Sequence, residues 1–165
     1  MFESYGKITY DPVFGKRFDK WWILLRCNND VASYYRHIVS KQRTFEMRSA
    51  EWLKMIGVPP TEQDWTVRIP YGKVAPPAWG AHISVVRGEE PKNKYLWKKY
   101  SGRRLRFKYD PRYINTNGRH WWIRIECPEL EEIRCELGLT PQPTFTDRRT
   151  GLRRVNHMHL TFGRN

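Results

Sequence analysis

Two similar segments either alternate apolar and polar residues or run apolar for about six residues, and each segment predicts a half-buried strand. The segments are Trp21-Trp22-Ile23 through Cys27 and Trp121-Trp122-Ile123 through Cys127. Short runs of this kind, rich in aromatic and β-branched residues, are typical of strands that lie between a core and solvent. We therefore predict that one tryptophan of each pair is buried and that the other is available to line the wall of a cleft, and we interpret both pairs first as structural residues.

Each predicted strand is followed by signals for a helix. In the first half, Asp30 is predicted to cap a helix that runs to about Lys41. Ser49 is predicted to cap a shorter helix, which ends at Gly57 and Pro59-Pro60 because these residues do not continue helical geometry.

The second half repeats the helix signal with different residues. Pro128 suits the first turn of a helix, where its missing N–H is not needed. Gly138 ends the predicted helix. Acidic side chains favour its N-terminus because of the helix dipole; they are Glu129, Glu131 and Glu132.

Both halves then return to an apolar strand that carries a histidine. These strands are predicted over Gly80–Val86 and Asn156–Phe162. In the first half, the proline-rich stretch from Ile69 to Trp79 is predicted to be a loop that leads into the strand.

The order of these features indicates an internal duplication. Tyr10-Asp11-Pro12 recurs as Tyr109-Asp110-Pro111 ahead of the tryptophan pairs, and a helix and a histidine strand follow in both halves. No Ser-rich or Gly-rich linker separates the halves. We predict one α+β domain over residues 1–165 with two lobes, formed by repeats at approximately 6–88 and 105–165.

The charge of the chain points to an anionic partner. Lys and Arg number 30 against 17 Asp and Glu, which gives a formal net charge of +13. Bases stack well on aromatic rings, and 15% of the residues are aromatic. Basic segments at Lys92–Lys99, Arg103–Lys108 and Arg148–Arg154 fit a rim that attracts anions, and they fit a solvated charged face as well.

The cysteines and the apolar segments indicate a compartment. Cys27, Cys127 and Cys135 form an odd set without metal-ligand spacing, which predicts buried free thiols in a reducing environment. No apolar run has the length of a signal peptide or of a membrane span. We expect a cytoplasmic protein with no membrane association, and the sequence shows no obligate protein partner.

The two histidine strands carry the same arrangement of side chains. Residues i and i+2 of a strand point to one face, so His82 lies beside Ser84, and His159 lies beside Thr161. Cleavage of an RNA-type phosphodiester needs one group that removes a proton and one that supplies a proton, and imidazoles do both near neutral pH. The hydroxyls can hold phosphoryl oxygens. The second copy at the matching place is what predicts catalysis, because a single His-x-Ser carries little information.

With these motifs the chain resembles the 2H phosphoesterase superfamily, whose signature is a pair of His-x-Thr/Ser motifs in a bilobal fold. Ser84 stands where threonine is commoner in that family. Within the superfamily the chain is most similar to the small phage enzymes that degrade cyclic oligonucleotide signals and so defeat CBASS immunity. This narrower resemblance rests on the short chain, the GKITYDP segment and the second motif close to the C-terminus.

The resemblance implies two antiparallel sheets related by a pseudo-two-fold, with flanking helices. It implies a catalytic set of His82, Ser84, His159 and Thr161 that needs no metal or other cofactor. A 2′-hydroxyl of a cyclic oligonucleotide or short RNA-like substrate attacks the adjacent phosphorus, with one histidine as base, while the other protonates the departing 5′-oxygen. The resulting 2′,3′-cyclic phosphate is then hydrolysed with the histidine roles exchanged.

Residues around the motifs are candidate substrate-binding groups. Arg87 and Arg164 follow the two hydroxyls and either clamp phosphate oxygens or lie exposed at strand ends. Trp79 either stacks on a base or fills the core. The resemblance implies that the loop before the first tryptophan pair closes over a base, and it contains Tyr10, Phe14 and Lys16.

The other histidines are interpreted without a catalytic role. His157 and His159 have a spacing that occurs in metal sites, but no third ligand is evident, so no metal is predicted. His37 and His120 are interpreted as surface or packing residues.

Two other functions fit the same sequence. An enzyme of the same chemistry would open 2′,3′-cyclic phosphates at RNA ends, as in tRNA repair. A non-enzymatic module would bind nucleic acid through its charge and aromatic residues, with incidental histidines.

Overall fold

A computed structural model describes residues 1–14, 17–18, 20–42, 44–55, 57–59, 63, 65–70 and 72–165. Lys16 and the side chain of Phe14, two of the candidate substrate-binding groups, lie outside these descriptions. None of the helices within the described ranges is long and apolar enough to cross a membrane.

The first half of the chain contains seven strands and two α-helices among its described residues. Its elements in chain order are β1 (Phe2–Tyr10), β2 (Val13–Phe14), β3 (Arg17–Phe18), β4 (Trp22–Cys27), α1 (Asn29–Gln42), β5 (Thr44–Arg48), α2 (Ser49–Met55), β6 (Thr66–Pro70) and β7 (His82–Arg87).

The second half follows a similar order with a shorter insertion before its last strand. A single 3₁₀ turn at Lys94–Leu96 connects the halves. The elements are β8 (Arg104–Thr116), β9 (His120–Glu126), α3 (Pro128–Glu136), β10 (Thr144–Thr146), β11 (Arg153–Val155) and β12 (His159–Arg164).

Six strands form one closed antiparallel barrel in the order β1-β4-β7-β12-β9-β8. The α+β class is confirmed, but the expectation of two separate sheets is wrong, because β7 pairs with β12 and β1 pairs with β8. The order is symmetric: β1, β4 and β7 occupy the same positions in one half of the barrel as β8, β9 and β12 in the other. Two-stranded sheets β2-β3, β5-β6 and β10-β11 lie outside the barrel.

The core lies on one face of the two histidine strands. Ile83 and Val85 of β7, with Leu160 and Phe162 of β12, are fully buried in one apolar cluster. Helices α1 and α3 add apolar side chains to the same cluster. Each fully buried side chain of this size contributes roughly 1.5–3 kcal/mol, so the register of β7 and β12 is fixed by their apolar faces, and the histidine-bearing face is turned away from this core.

Several predicted boundaries hold and others change. Helix α3 begins at Pro128 as predicted, and Gly138 follows its end with a φ of +77°. Helix α1 is capped by Asn28 and not by Asp30: the Asn28 side-chain oxygen accepts a hydrogen bond from the Asp30 N–H at 2.8 Å. Asp30 lies inside the first turn, where its charge still suits the helix dipole.

The strands differ from prediction in three places. Both histidine strands begin at the histidine itself, later than predicted, and end at Arg87 and Arg164. The proline-rich stretch is a loop only in part, because Ile69 and the following proline belong to β6, which pairs with β5. Tyr10 is the last residue of β1 and not part of a loop.

The tryptophan and cysteine predictions hold for some members only. Trp22 is fully buried, whereas Trp121 and Trp122 are both half-buried, so the prediction of one buried tryptophan per pair is wrong for the second pair. The thiols are free, but Cys135 is exposed on α3, contrary to the prediction of buried thiols.

A fully buried arginine joins α3 to the end of β7. Arg134 donates two hydrogen bonds to the carboxylate of Glu89, at 2.7 and 2.9 Å, and one each to the backbone carbonyls of Val85 and Thr140. A buried guanidinium is tolerable only when its donors are satisfied, and this arrangement satisfies them. The ion pair therefore fixes the position of β7 relative to α3.

We predict that Arg134→Met lowers the free energy of unfolding by about 3–5 kcal/mol, because it leaves the Glu89 carboxylate and two carbonyls without their partner. Urea denaturation measures the change. The control Arg148→Met replaces an exposed arginine and should change stability by about 0.5 kcal/mol or less. A loss below about 1 kcal/mol for Arg134→Met would contradict the structural role of this ion pair.

Candidate active site

The pairing of β7 with β12 brings the two histidine motifs together. His82 lies directly opposite Thr161, and Ile83 lies opposite Leu160. Continuing this register by one residue places Ser84 opposite His159. Paired residues point to the same face of a sheet, so both imidazoles and both hydroxyls share the face turned away from the core.

The spacing of this quartet suits a phosphate. Directly opposite residues have Cβ atoms about 4.5–5.5 Å apart, and diagonal neighbours are about 7–8 Å apart. Each imidazole therefore lies beside the hydroxyl of the other motif, and the two imidazoles lie diagonally across one surface patch.

The two imidazoles are held in the same way. The Nδ1 atom of His82 lies 2.7 Å from the Gly80 carbonyl oxygen, and the Nδ1 atom of His159 lies 2.8 Å from the His157 carbonyl oxygen. A carbonyl only accepts hydrogen bonds, so Nδ1 carries the proton in both rings. Nε2 is then the atom that exchanges protons with a ligand, as acceptor when the ring is neutral and as donor when it is charged.

Burial lowers the pKa of both histidines. For His82 the cations Arg87, His159 and Arg26 lower the pKa further, and the hydrogen bond to Gly80 opposes these effects. For His159 the neighbouring His120 lowers the pKa, and the hydrogen bond to His157 opposes it. The charged neighbours that shift these pKa values are all cationic, so the site has the electrostatics of an anion-binding surface.

A β-bulge in each motif strand aims an arginine at the same face. In β7, Ser84 pairs with Leu24 and Arg87 pairs with Trp22, so Val85 is an extra residue relative to β4. The extra residue shifts the alternation of side chains by one position, so Arg87 points to the side that carries His82 and Ser84.

The second motif contains the same irregularity. Thr161 pairs with Trp122 and Arg164 pairs with His120, so an extra residue again separates the hydroxyl from the arginine. Both motifs are therefore His-x-hydroxyl-x-x-Arg. The two arginines flank the quartet with guanidinium groups, which bind phosphate oxygens well.

The helices support these bulges across the two halves of the chain. Arg134 of α3 donates to the carbonyl of Val85, the bulged residue of β7, at 2.6 Å. Arg36 of α1 donates to the carbonyl of Phe162, the bulged residue of β12, at 3.0 Å. Each helix thus stabilises the motif strand that belongs to the other half.

Two further residues lie at the site, of which a cleft-wall tryptophan was among the predictions and Arg26 was not. The ring centroids of Trp122 and His159 lie 5.4 Å apart, and Trp122 is half-buried opposite Thr161. Arg26 pairs with His82 across β4 and β7. The alternation of the tryptophan strands contained the signal, since Trp122 and Arg26 occupy polar-face positions, but the pairing partner was needed to place them.

Other predicted binding residues lie elsewhere. Tyr10 is buried in the main core, where its hydroxyl accepts the Tyr100 N–H at 3.3 Å and its ring packs on Trp97. Trp79 is also buried and packs against Trp22, with ring centroids 4.6 Å apart. It therefore fills the core, the second of the two roles considered for it. Phe14 lies in the small β2-β3 hairpin.

The surroundings of His157 disfavour a metal. Its Nδ1 atom lies 3.3 Å from the Arg124 guanidinium, so the nitrogen is an acceptor beside a fixed cation. Within the described ranges, no group of three His, Cys, Asp or Glu side chains is placed so that it could hold a metal ion.

Comparison with protein families, with curated proteins and with solved structures finds no match to this chain.

We predict that His82 and His159 both titrate below the usual histidine pKa of 6.5, measured by ¹H–¹⁵N NMR of the imidazoles. Arg26→Gln should raise the pKa of His82, because loss of a nearby cation favours the charged ring. His159 serves as the internal control, since its cationic neighbour is His120. Equal shifts at both histidines, or pKa values above 6.5, would contradict this electrostatic description.

Proposed function

We propose that the protein is a metal-independent phosphodiesterase that uses His82 and His159 as general base and general acid. The observation that carries this proposal is the quartet itself, in which two imidazoles with the same fixed tautomer lie beside two hydroxyls on one face. We propose cyclic oligonucleotides as the leading substrate class, in keeping with the resemblance to phage enzymes that act against CBASS. Such signals are cytoplasmic, and the protein would act there.

The first step forms one bond and breaks another at the same phosphorus. Neutral Nε2 of one histidine takes the proton of the ligand's 2′-hydroxyl, whose oxygen forms a bond to the adjacent phosphorus. The bond from phosphorus to the 5′-oxygen breaks, and that oxygen takes the Nε2 proton of the other histidine. The products are a 2′,3′-cyclic phosphate and a free 5′-hydroxyl, which opens a cyclic ligand.

The second step is hydrolysis with the roles exchanged. The histidine that gained a proton now donates it to the 2′-oxygen, and the other histidine takes a proton from the attacking water. The near-equivalent settings of the two rings support this exchange. Ser84, Thr161 and the guanidinium groups of the two motifs stabilise the charge that develops on the phosphoryl oxygens.

The symmetric strand order of the barrel supports the resemblance to the 2H phosphoesterases. The halves β1-β4-β7 and β12-β9-β8 meet at the seam between the histidine strands, where Ile83 pairs with Leu160 and His82 with Thr161. As part of this proposal, the two halves form two lobes, and the two histidine motifs lie between them.

A second candidate substrate is the end of an RNA strand that carries a 2′,3′-cyclic phosphate. The observation that favours it is the row of exposed basic residues that extends from His82 across the neighbouring strands. Such a surface is larger than a small cyclic ligand requires.

We predict that the purified protein cleaves cyclic dinucleotides or RNA oligonucleotides in the presence of EDTA. Chromatography of the products measures the cleavage. His82→Ala and His159→Ala should each lower kcat about 10²- to 10⁴-fold. His37→Ala, which removes an exposed histidine of α1, is the matched control and should leave kcat unchanged. Full cleavage activity in the His82→Ala/His159→Ala variant would contradict the role of these histidines as acid and base, and binding without any cleavage by the unaltered protein would leave the non-enzymatic function.

We predict a bell-shaped dependence of kcat/KM on pH with its maximum below pH 6.5. One histidine must be neutral and the other protonated, and kcat/KM reports the pKa values of the free enzyme, both of which are lowered. Steady-state rates between pH 4.5 and 8.5 measure the profile. A maximum above pH 7 would be incompatible with these two groups as the acid-base pair.

A further inference from the structure

A row of basic side chains continues from His82 across three strands of the barrel. Arg26 of β4 lies opposite His82, Lys7 of β1 lies opposite Arg26, and Arg104 of β8 lies opposite Lys7. We call Arg26, Lys7 and Arg104 the basic row. Because each pair is directly opposite, the row lies on the same side of the sheet as the catalytic quartet and follows the closed barrel from β7 round to β8.

The basic row is open to solvent, although His82 beside it is only 6% exposed. The three members of the basic row are exposed, whereas the adjacent residues Gly6, Leu25 and Leu105 are buried. Neighbouring strands are about 4.8 Å apart. The row therefore presents a positive charge at each of three successive strands. Measured along the barrel wall from strand to strand, it ends about 14 Å from His82.

The basic row lacks carboxylate partners. Within the described part of the chain, none of its members forms an ion pair with an acidic side chain. The acidic residues of this region, Glu3 and Glu126, lie further along the strands opposite Lys108. The charge of the row is therefore available to an external anion.

An aromatic ring marks the far end of the basic row. Tyr5 is 49% exposed, and the Arg104 guanidinium lies 4.4 Å from its ring centroid. Tyr5 also lies opposite Arg106, another exposed arginine. Basic residues interleaved with a half-exposed aromatic ring are typical of surfaces that bind single-stranded nucleic acid, because phosphates meet the cations and bases stack on the ring.

We propose that the basic row binds the phosphate backbone of a linear single-stranded oligonucleotide whose scissile bond lies between His82 and His159. The inference deepens the second form of the proposed function, in which the substrate is a linear RNA strand and not a cyclic oligonucleotide, and its catalytic part rests on the proposed chemistry. A polyanion with regularly spaced charges matches a row with one cation for each strand. The row makes no contribution to a substrate that is confined to the quartet.

The binding test uses a fluorescein-labelled oligothymidylate of twelve nucleotides, which has no 2′-hydroxyl and is not cleaved by this mechanism. Fluorescence anisotropy gives the affinity at several NaCl concentrations. Lys7→Gln/Arg104→Gln should reduce the slope of log K against log salt by about 1.4, since each lost phosphate contact accounts for about 0.7. Arg26 is left intact because it lowers the pKa of His82.

The matched control is Lys41→Gln/Lys54→Gln, which removes the same charge from exposed positions outside the barrel strands. Its salt slope should equal that of the unaltered protein. An equal reduction in both double variants, or an unchanged slope in Lys7→Gln/Arg104→Gln, overturns the proposal.

The catalytic test compares a twelve-nucleotide RNA with the dinucleotide UpU. Lys7→Gln/Arg104→Gln should lower kcat/KM at least several-fold for the long RNA and leave it unchanged for UpU. An equal loss on both substrates would show that these residues act on the quartet and would overturn the proposal. Failure of the unaltered protein to cleave any substrate, with the binding difference intact, would reject the proposed function and retain the basic row.

Discussion

The structure depends on two β-bulges, each held by an arginine from a helix of the opposite half. A bulge leaves a backbone carbonyl outside the regular ladder, and such a carbonyl needs another donor when it is buried. Arg134 supplies that donor for Val85, and Arg36 supplies it for Phe162. Without the bulges, Arg87 and Arg164 would point into the apolar core. The same contacts tie α3 to β7 and α1 to β12, so each half of the chain supports the histidine strand of the other half.

This interlocked symmetry has a chemical consequence at the centre of the barrel. Both imidazoles donate Nδ1–H to the carbonyl two residues earlier in the chain, and both face a hydroxyl of the other motif. Among the described residues neither ring has a carboxylate partner that would commit it to one protonation state, and burial near cations favours the neutral form of each. The charge of a bound phosphate raises both pKa values. A pair that becomes competent as acid and base when its anionic ligand arrives suits a two-step phosphodiester cleavage.

The sequence predicted the tryptophan strands, the histidine strands, the three helices and the shared face of each motif, because these follow from local patterns, but it did not predict β1 and β8, which complete the barrel. His82 with Ser84, and His159 with Thr161, needed only the two-residue repeat of a strand, and Pro128 and Gly138 marked α3 by their backbone preferences. The bulges were invisible, since a bulge is a property of a pair of strands: Val85 is an extra residue only relative to Leu24 and Trp22. Tyr10 and Ile69 failed for the same reason, because long-range pairing placed them in β1 and β6. The cap at Asn28 was missed because both Asn28 and Asp30 have side chains that cap helices well, and capping propensity alone does not choose between them.

The symmetry of the quartet does not extend to the surface around it. On one side, the residues opposite His82 continue as Arg26, Lys7 and Arg104, which are cationic and exposed. On the other side, the residues opposite Thr161 continue as Trp122 and Asn115, which offer a ring face and an amide. Arg124 lies opposite His159 as Arg26 lies opposite His82, so an arginine flanks the quartet on both sides, but Trp122 stands beside Thr161 where Leu24 stands beside Ser84. A ligand that crosses the seam therefore finds a half-buried ring to stack on in one direction only. Since the two imidazoles are held in the same way, this asymmetry would set the direction of a bound chain and, in the proposed reaction, decide which histidine acts first as the base.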